Sequence, residues 1–136
     1  MPIALDPAET FELSTARDRA RHTDPATRPT FLFHYLTGGE FRAHLALAER
    51  QRKFFALTEK ERDYEALEAM RQEMYQTLGA QLVGWRNIRT RKGEPISFDA
   101  GKVQWVLGDA EAVELFEEAC RMSDLGGPEK NASGSP

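Results

Sequence analysis

Between Tyr64 and Trp85 the apolar residues fall three or four positions apart: Tyr64, Leu67, Met70, Met74, Leu78, Leu82 and Trp85. Glu65, Glu68, Arg71, Gln72 and Glu73 fill most of the places between them. A period of 3.6 residues maps that spacing onto one stripe of a cylinder, so the segment predicts an amphipathic helix with its polar side in water. Such a stripe must be buried against another element, and that requirement constrains the rest of the chain.

A first helix is predicted just before it. Thr37 and Glu40 stand at capping-box spacing, where a hydroxyl takes a free amide and the carboxylate reaches back. Beyond them Phe41, Leu45, Ala48 and Phe55 recur at steps compatible with one face, which predicts a helix over 38–56. Thr58 and Glu61 repeat the signal ahead of Tyr64, and the short polar link makes the two helices an antiparallel hairpin. Downstream, Asp99 is expected to cap a short helix carrying Val103, Val106 and Leu107. Asp109 is expected to cap a last helix carrying Val113, Phe116 and Cys120, with Leu115 and Met122 at its flank. Glu111 and Glu114 near its start and Arg121 near its end suit the helix dipole.

Ahead of the helices the period changes. Residues 10–15 (TFELST) alternate, with Phe11 and Leu13 on one face. Residues 30–36 (TFLFHYL) put Phe31, Phe33 and Tyr35 on one face and Leu32, His34 and Leu36 on the other. Polar residues 16–29, with Pro25 and Pro29, read as a loop between two antiparallel strands, and residues before Thr10 as an irregular arm. An isolated strand pair is marginal in water, so the helices must cover it. From Asp124 onward no apolar period survives, which predicts a disordered tail.

The fold class expected is therefore α+β, mostly α, with a small N-terminal antiparallel β pair packed on a bundle of about four helices. Residues 1–123 would form one domain and 124–136 the tail. The expected core is Phe41, Leu45, Leu67, Met74, Leu78, Trp85, Val103 and Phe116.

The stretch Leu82–Val103 carries four cations, Arg86, Arg89, Arg91 and Lys92, beside Trp85 and Ile88. A nucleic-acid surface would combine such charges with free aromatic faces. Here Trp85 continues the helical stripe, so Trp85 and Ile88 are expected to close the core. The cations then become an exposed elbow before Pro95, Ile96 and Phe98 return. Net charge −4 and pI near 5.4 argue against a polyphosphate partner. Arg17, Arg19, Arg21 and Arg28 are interleaved with Asp18 and Asp24, as in a solvated or protein-contacting loop.

Other chemistry finds little support. Cys120 is the single cysteine, which excludes an intramolecular disulfide and a cysteine-based zinc site. His22, His34 and His44 show no His-Glu-x-x-His spacing, there is no Gly-x-Ser-x-Gly elbow, and Gly38-Gly39 lacks the Lys-Ser or Lys-Thr of a phosphate loop. No apolar run reaches membrane-spanning length, and the first residues lack the regions of a signal peptide. The chain reads as a soluble binding protein of a reducing compartment, with no cofactor, no metal, no membrane partner and no enzymatic site. The rival readings are a small nucleic-acid-binding regulator using Arg86–Lys92 and an enzyme with an unrecognised carboxylate site.

Three stretches in order resemble phage tail assembly chaperones: "FELSTARDR" with "RPTFLFHYLTGGEF", then "LVGWRNIRTRKGEPISFD", then "ELFEEACRMSDLGGPEKNASGSP". They touch both ends and the middle of the chain. Ala132 between Asn131 and Ser133 departs from the family pattern, as does the longer arginine-rich loop. The resemblance implies a non-enzymatic adaptor that coats the aggregation-prone tape measure protein before the tail tube polymerises around it. It also implies residence in the host bacterial cytoplasm and absence from the mature virion. It further implies a longer form made by a −1 ribosomal slip, through which tail-tube protein is recruited. Glu129-Lys130-Asn131 can be encoded GAA AAA AAC, which contains the slippery run A AAA AAC. Candidate partner contacts are the strand aromatics Phe31, Phe33 and Tyr35 and the cations Arg86, Arg89 and Arg91. Self-association is left open.

Overall fold

The computed structural model describes residues 9–125 of the 136-residue chain. Eight named elements follow in order: β1 (Thr10–Leu13), α1 (Ala16–Arg21), β2 (Thr30–His34), α2 (Gly38–Ala56), α3 (Tyr64–Gln81), β3 (Leu82–Arg86), α4 (Val103–Val106) and α5 (Asp109–Leu125). Single 3-10 turns at Glu59–Glu61 and Ala100–Lys102 complete the set. The protein is mostly helical with a small antiparallel sheet, as expected, but the expected strand pair is a triple. Order is β1-β2-β3, with both pairings antiparallel.

The third strand was concealed by geometry. Leu78, Leu82 and Trp85 fit one helical stripe, yet α3 stops at Gln81 and the chain enters the sheet. In a regular strand Leu82 and Trp85, three residues apart, would face opposite sides. Phe31 pairs with Trp85, Leu32 with Gly84 and Phe33 with Leu82, so Val83 is an extra residue at a bulge. The bulge returns both Leu82 and Trp85 to the buried face and leaves Val83 exposed.

β2 is the central strand. Phe31 and Phe33 are fully buried, Phe33 stacks on Phe11 at 5.7 Å, and Phe31 meets the Trp85 edge at 6.3 Å. Phe31 and Phe33, offered above as partner contacts, are thus core residues of the sheet. Tyr35 is half-buried against Phe11 at 4.8 Å.

Helices α2, α3 and α5 pack on one another, and the core runs from the sheet through Leu47, Met74, Leu78, Val103, Leu115 and Phe116. The expected core residues Met74, Leu78, Trp85, Val103 and Phe116 are buried. Leu67 and Phe41 are half-buried, and Leu45 is 47% exposed. The inward face of α2 is His44, Leu47 and Phe54, one position away from the predicted Leu45, Ala48 and Phe55. One position is about 100° of rotation. The cause is His44, a polar residue that takes a core position.

Local signals explain the ends of these elements. α2 has both arms of its capping box: Thr37 Oγ accepts the Glu40 amide and Glu40 accepts the Thr37 amide. Glu61 reaches back to Thr58 in the same way, but that pair builds only the 3-10 turn. α3 is capped instead by Asp63, which accepts the Glu65 amide at 2.9 Å. The arginine-rich segment expected to be a loop contains α1, capped by the buried Thr15. Asp99 caps, by accepting the Gly101 amide, the 3-10 turn Ala100–Lys102 and not α4 itself, whose N-cap is Lys102 without a side-chain bond. Asp109 does not cap α5. Gly108 holds that position, its carbonyl accepting the Ala112 amide, and Asp109 turns to Tyr75 and Arg71. α5 continues to Leu125, two residues past the expected domain boundary, and the remainder of the predicted tail lies outside the described residues, as does most of the N-terminal arm.

Residues 88–96 form a small hairpin: the Thr90 amide donates to Glu94 O and the Ile96 amide to Ile88 O, each at 2.8 Å. Gly93 takes φ 84°, a conformation that strains any residue with a Cβ. The Trp85 indole N–H donates to Ile96 O at 2.8 Å and its ring meets Phe98 edge-on at 4.9 Å. This hairpin is the elbow the sequence predicts, with Trp85 and the half-buried Ile88 at its base. Of the residues expected to return to the core after it, Ile96 is half-buried, whereas Pro95 and Phe98 stay exposed, Phe98 resting on the Trp85 ring.

Candidate functional site

Residues left over from the core of α2 and α5 fall beside one another. Phe41, Leu45 and Ala48 face Cys120 and Arg121 across an open groove floored by Phe116. The groove continues past Glu117 to Phe55 and Val113. Because Phe41 lies near Cys120 and Phe55 near Val113, the two helices run antiparallel along it. At the Phe55 end it meets a second hollow lined by Tyr64, Leu67, Met70 and Met74. Leu45, Phe55 and Tyr64 are 47%, 56% and 57% exposed, so the groove walls are apolar and wet. Apolar side chains left uncovered side by side in this way make the groove the candidate contact surface. The stripe the sequence assigns to the core of α2 is this groove wall.

Beneath the floor lies a buried polar chain. The His44 ring stacks on Phe116 at 3.6 Å, its Nε2–H donates to Phe116 O at 2.8 Å, and Nδ1 accepts from Gln81 Nε2 at 2.7 Å. With one nitrogen donating and the other accepting, the imidazole is neutral. Burial pushes its pKa below the usual value, opposed by the Phe116 carbonyl. Gln81 Oε1 is buried without a hydrogen-bond partner. In the sequence His44 reads as an ordinary helix position. The only signal was indirect: it sits three residues before Leu47 and ten before Phe54, on the face that also carries the half-buried Gln51.

At the far end, the Tyr75 hydroxyl lies 2.9 Å from Leu107 O and 2.8 Å from Asp109 Oδ1 and shares its proton between them. Burial first, then the Asp109 contact, pushes Tyr75 up to about 12. Tyr75 and Arg71 hold the Asp109 carboxyl below the usual range. This trio ties α3 to the start of α5.

The cationic candidates are scattered. Arg86 makes a two-pronged pair with Glu12 at 2.9 and 2.6 Å, spanning the sheet. Arg89 donates to Gly93 O within its own hairpin, and Arg28 donates to His22 O and Thr23 O. Asn87 Nδ2 donates to Ala26 O and Arg28 O, binding that loop to the end of β3. Arg91 projects from the turn, exposed. Thus Arg86 and Arg89 serve the fold, and the structure does not bring Arg86, Arg89 and Arg91 together with Phe31, Phe33 and Tyr35 in one contact surface. Trp105, 82% exposed within the short α4, gives no signal in the sequence because it falls off the Val103–Val106 stripe.

Among the described residues no three His, Cys, Asp or Glu side chains gather as metal ligands would, and no helix is long and apolar enough to cross a membrane. No protein-family model matches the sequence, and neither a curated protein nor a solved structure matches it.

Proposed function

We propose that this chain is a tail assembly chaperone, a non-enzymatic adaptor that binds the tape measure protein and helps the tail tube polymerise around it. The observation that carries the reading is the uncovered groove between α2 and α5, with Leu45 and Phe55 about half exposed on a helix whose other face is fully packed. A tape measure chain is long and helical and displays apolar stripes until its tube encloses it, which invites aggregation. A groove of this kind takes such stripes as helix-in-groove contacts. Many weak copies along one client hold it by avidity and still release it to arriving tube subunits. On this reading the protein acts in the host bacterial cytoplasm and is absent from the finished virion. A −1 slip at Glu129–Asn131 would append the extension that recruits tail-tube protein.

Co-expression with the tape measure protein tests the reading. The chain should raise the soluble fraction of that client and co-purify with it; a client left insoluble and unbound counts against it. The slip is tested on the gene, where codons lacking the A AAA AAC run, or a −1 frame closed at once by a stop codon, remove that part.

A further inference from the structure

We propose that the groove between α2 and α5 receives a single amphipathic helix of another polypeptide, whose apolar stripe carries a Lys or Arg that meets Glu117. The helical class of the occupant rests on the chaperone reading; its length and charge come from the groove. From Phe41 to Phe55 the wall of α2 rises about 21 Å at 1.5 Å per residue, which matches about four turns of a docked helix.

Charge chooses the occupant. Glu117 borders both halves of the groove and is exposed, and among the described residues no hydrogen bond or ion pair engages its carboxylate. The two cations at the rim are already taken, Arg52 by Glu49 and Arg121 by Glu118. The one uncompensated charge at the middle of an apolar groove is therefore negative. A second copy docked face to face about a twofold axis through the groove centre would set Glu117 against its own counterpart, two carboxylates in a drying interface. A client helix with a basic residue in its stripe gains an ion pair at the same point, with the surrounding apolar contacts excluding water.

Two designed helical peptides of about 20 residues, long enough to hold a helix in water, test this. They share one apolar stripe and differ at its midpoint, Lys in one and Glu in the other. Fluorescence anisotropy with the full chain should show the Lys peptide binding about tenfold more tightly. Glu117→Lys should invert that order, and Leu45→Glu should abolish both. If Leu45→Glu fails to fold, Phe55→Ser serves, with folding checked by circular dichroism. Equal affinity for the two peptides, no binding by either, or full binding by the folded groove variant overturns the proposal. So does a dimer in light scattering that Leu45→Glu dissociates, since the groove would then belong to a second copy. The two readings fail separately. Peptide binding with charge preference but no effect on the tape measure protein sinks the chaperone function and keeps the groove. Client solubilised equally well by Leu45→Glu does the reverse.

Discussion

Phe33 and Phe55 are the same side chain in opposite settings. Phe33 sits in the central strand with none of its surface exposed, stacked on Phe11 and backed by helices, whereas Phe55 on α2 keeps 56% of its surface in water. The sheet side of the molecule is closed because β1 and β3 flank β2 and a bulge at Val83 turns Leu82 and Trp85 inward together. The α2–α5 side is open because each helix carries more apolar residues than its inward face uses. On α2, His44, Leu47 and Phe54 face in, and on α5, Ala112, Leu115, Phe116 and Ala119 do. Apolar residues that the fold does not need for its own core remain as surface, and the proposed function puts them to use.

That contrast is sharpest in mutational stability. Phe33→Ala should cost about 3–5 kcal/mol by urea denaturation, since it removes a fully buried ring from a sheet that cannot collapse around the gap. Trp85→Ala should cost about 3–4 kcal/mol, losing its packing on Phe31 and Phe98 and its bond to Ile96 O. The joint change Arg89→Ala and Arg91→Ala should stay within about 0.5 kcal/mol, because one cation holds only a surface turn and the other projects into water. Equal losses from the Trp85 and arginine changes would break the assignment of the elbow.

Acid probes the boundary between the two regions. His44 is neutral and buried under the groove floor, with a pKa below its unfolded value of about 6.5. The unfolded chain therefore takes up the proton first as pH falls. The stability contributed by neutral His44 is fully present above about pH 6.5 and is lost as pH drops through it. Urea midpoints at pH 7.5 and 5.5 should differ in the natural chain, and the difference should shrink in His44→Phe. An unchanged difference in that variant would place the titrating group elsewhere.

Small stability effects also belong to the groove wall. Leu45→Ser and Phe55→Ser should each cost less than about 1 kcal/mol, since about half of each side chain already faces water. A loss of several kcal/mol from either would return these residues to the core that the periodicity assigned them.

Much of this was legible before the structure, and the exceptions share a cause. α2 begins where the sequence predicted because the Thr37–Glu40 capping box is a local device with its own hydrogen bonds, and it ends where predicted, with Leu57 extended. β2 was legible from its alternation of Phe31, Leu32 and Phe33, a period no helix produces. β3 was hidden because a bulged strand and a helix place Leu78, Leu82 and Trp85 in the same line. The inward face of α2 was hidden because the buried His44 is held by Gln81 Nε2 from α3 and by Phe116 O from α5, and the Gln81 pairing, 37 residues apart in the chain, leaves no periodic trace. The groove was read inside out for the same reason. Periodicity detects that a face is apolar, not which of two apolar faces is covered.

The most direct test of an open, client-binding groove on a closed core is the soluble yield of the tape measure protein co-expressed with the Leu45→Ser, Phe55→Ser double variant. The account predicts a folded variant that leaves the client insoluble, whereas the natural chain keeps it in solution. A folded double variant that protects the client as well as the natural chain would contradict it.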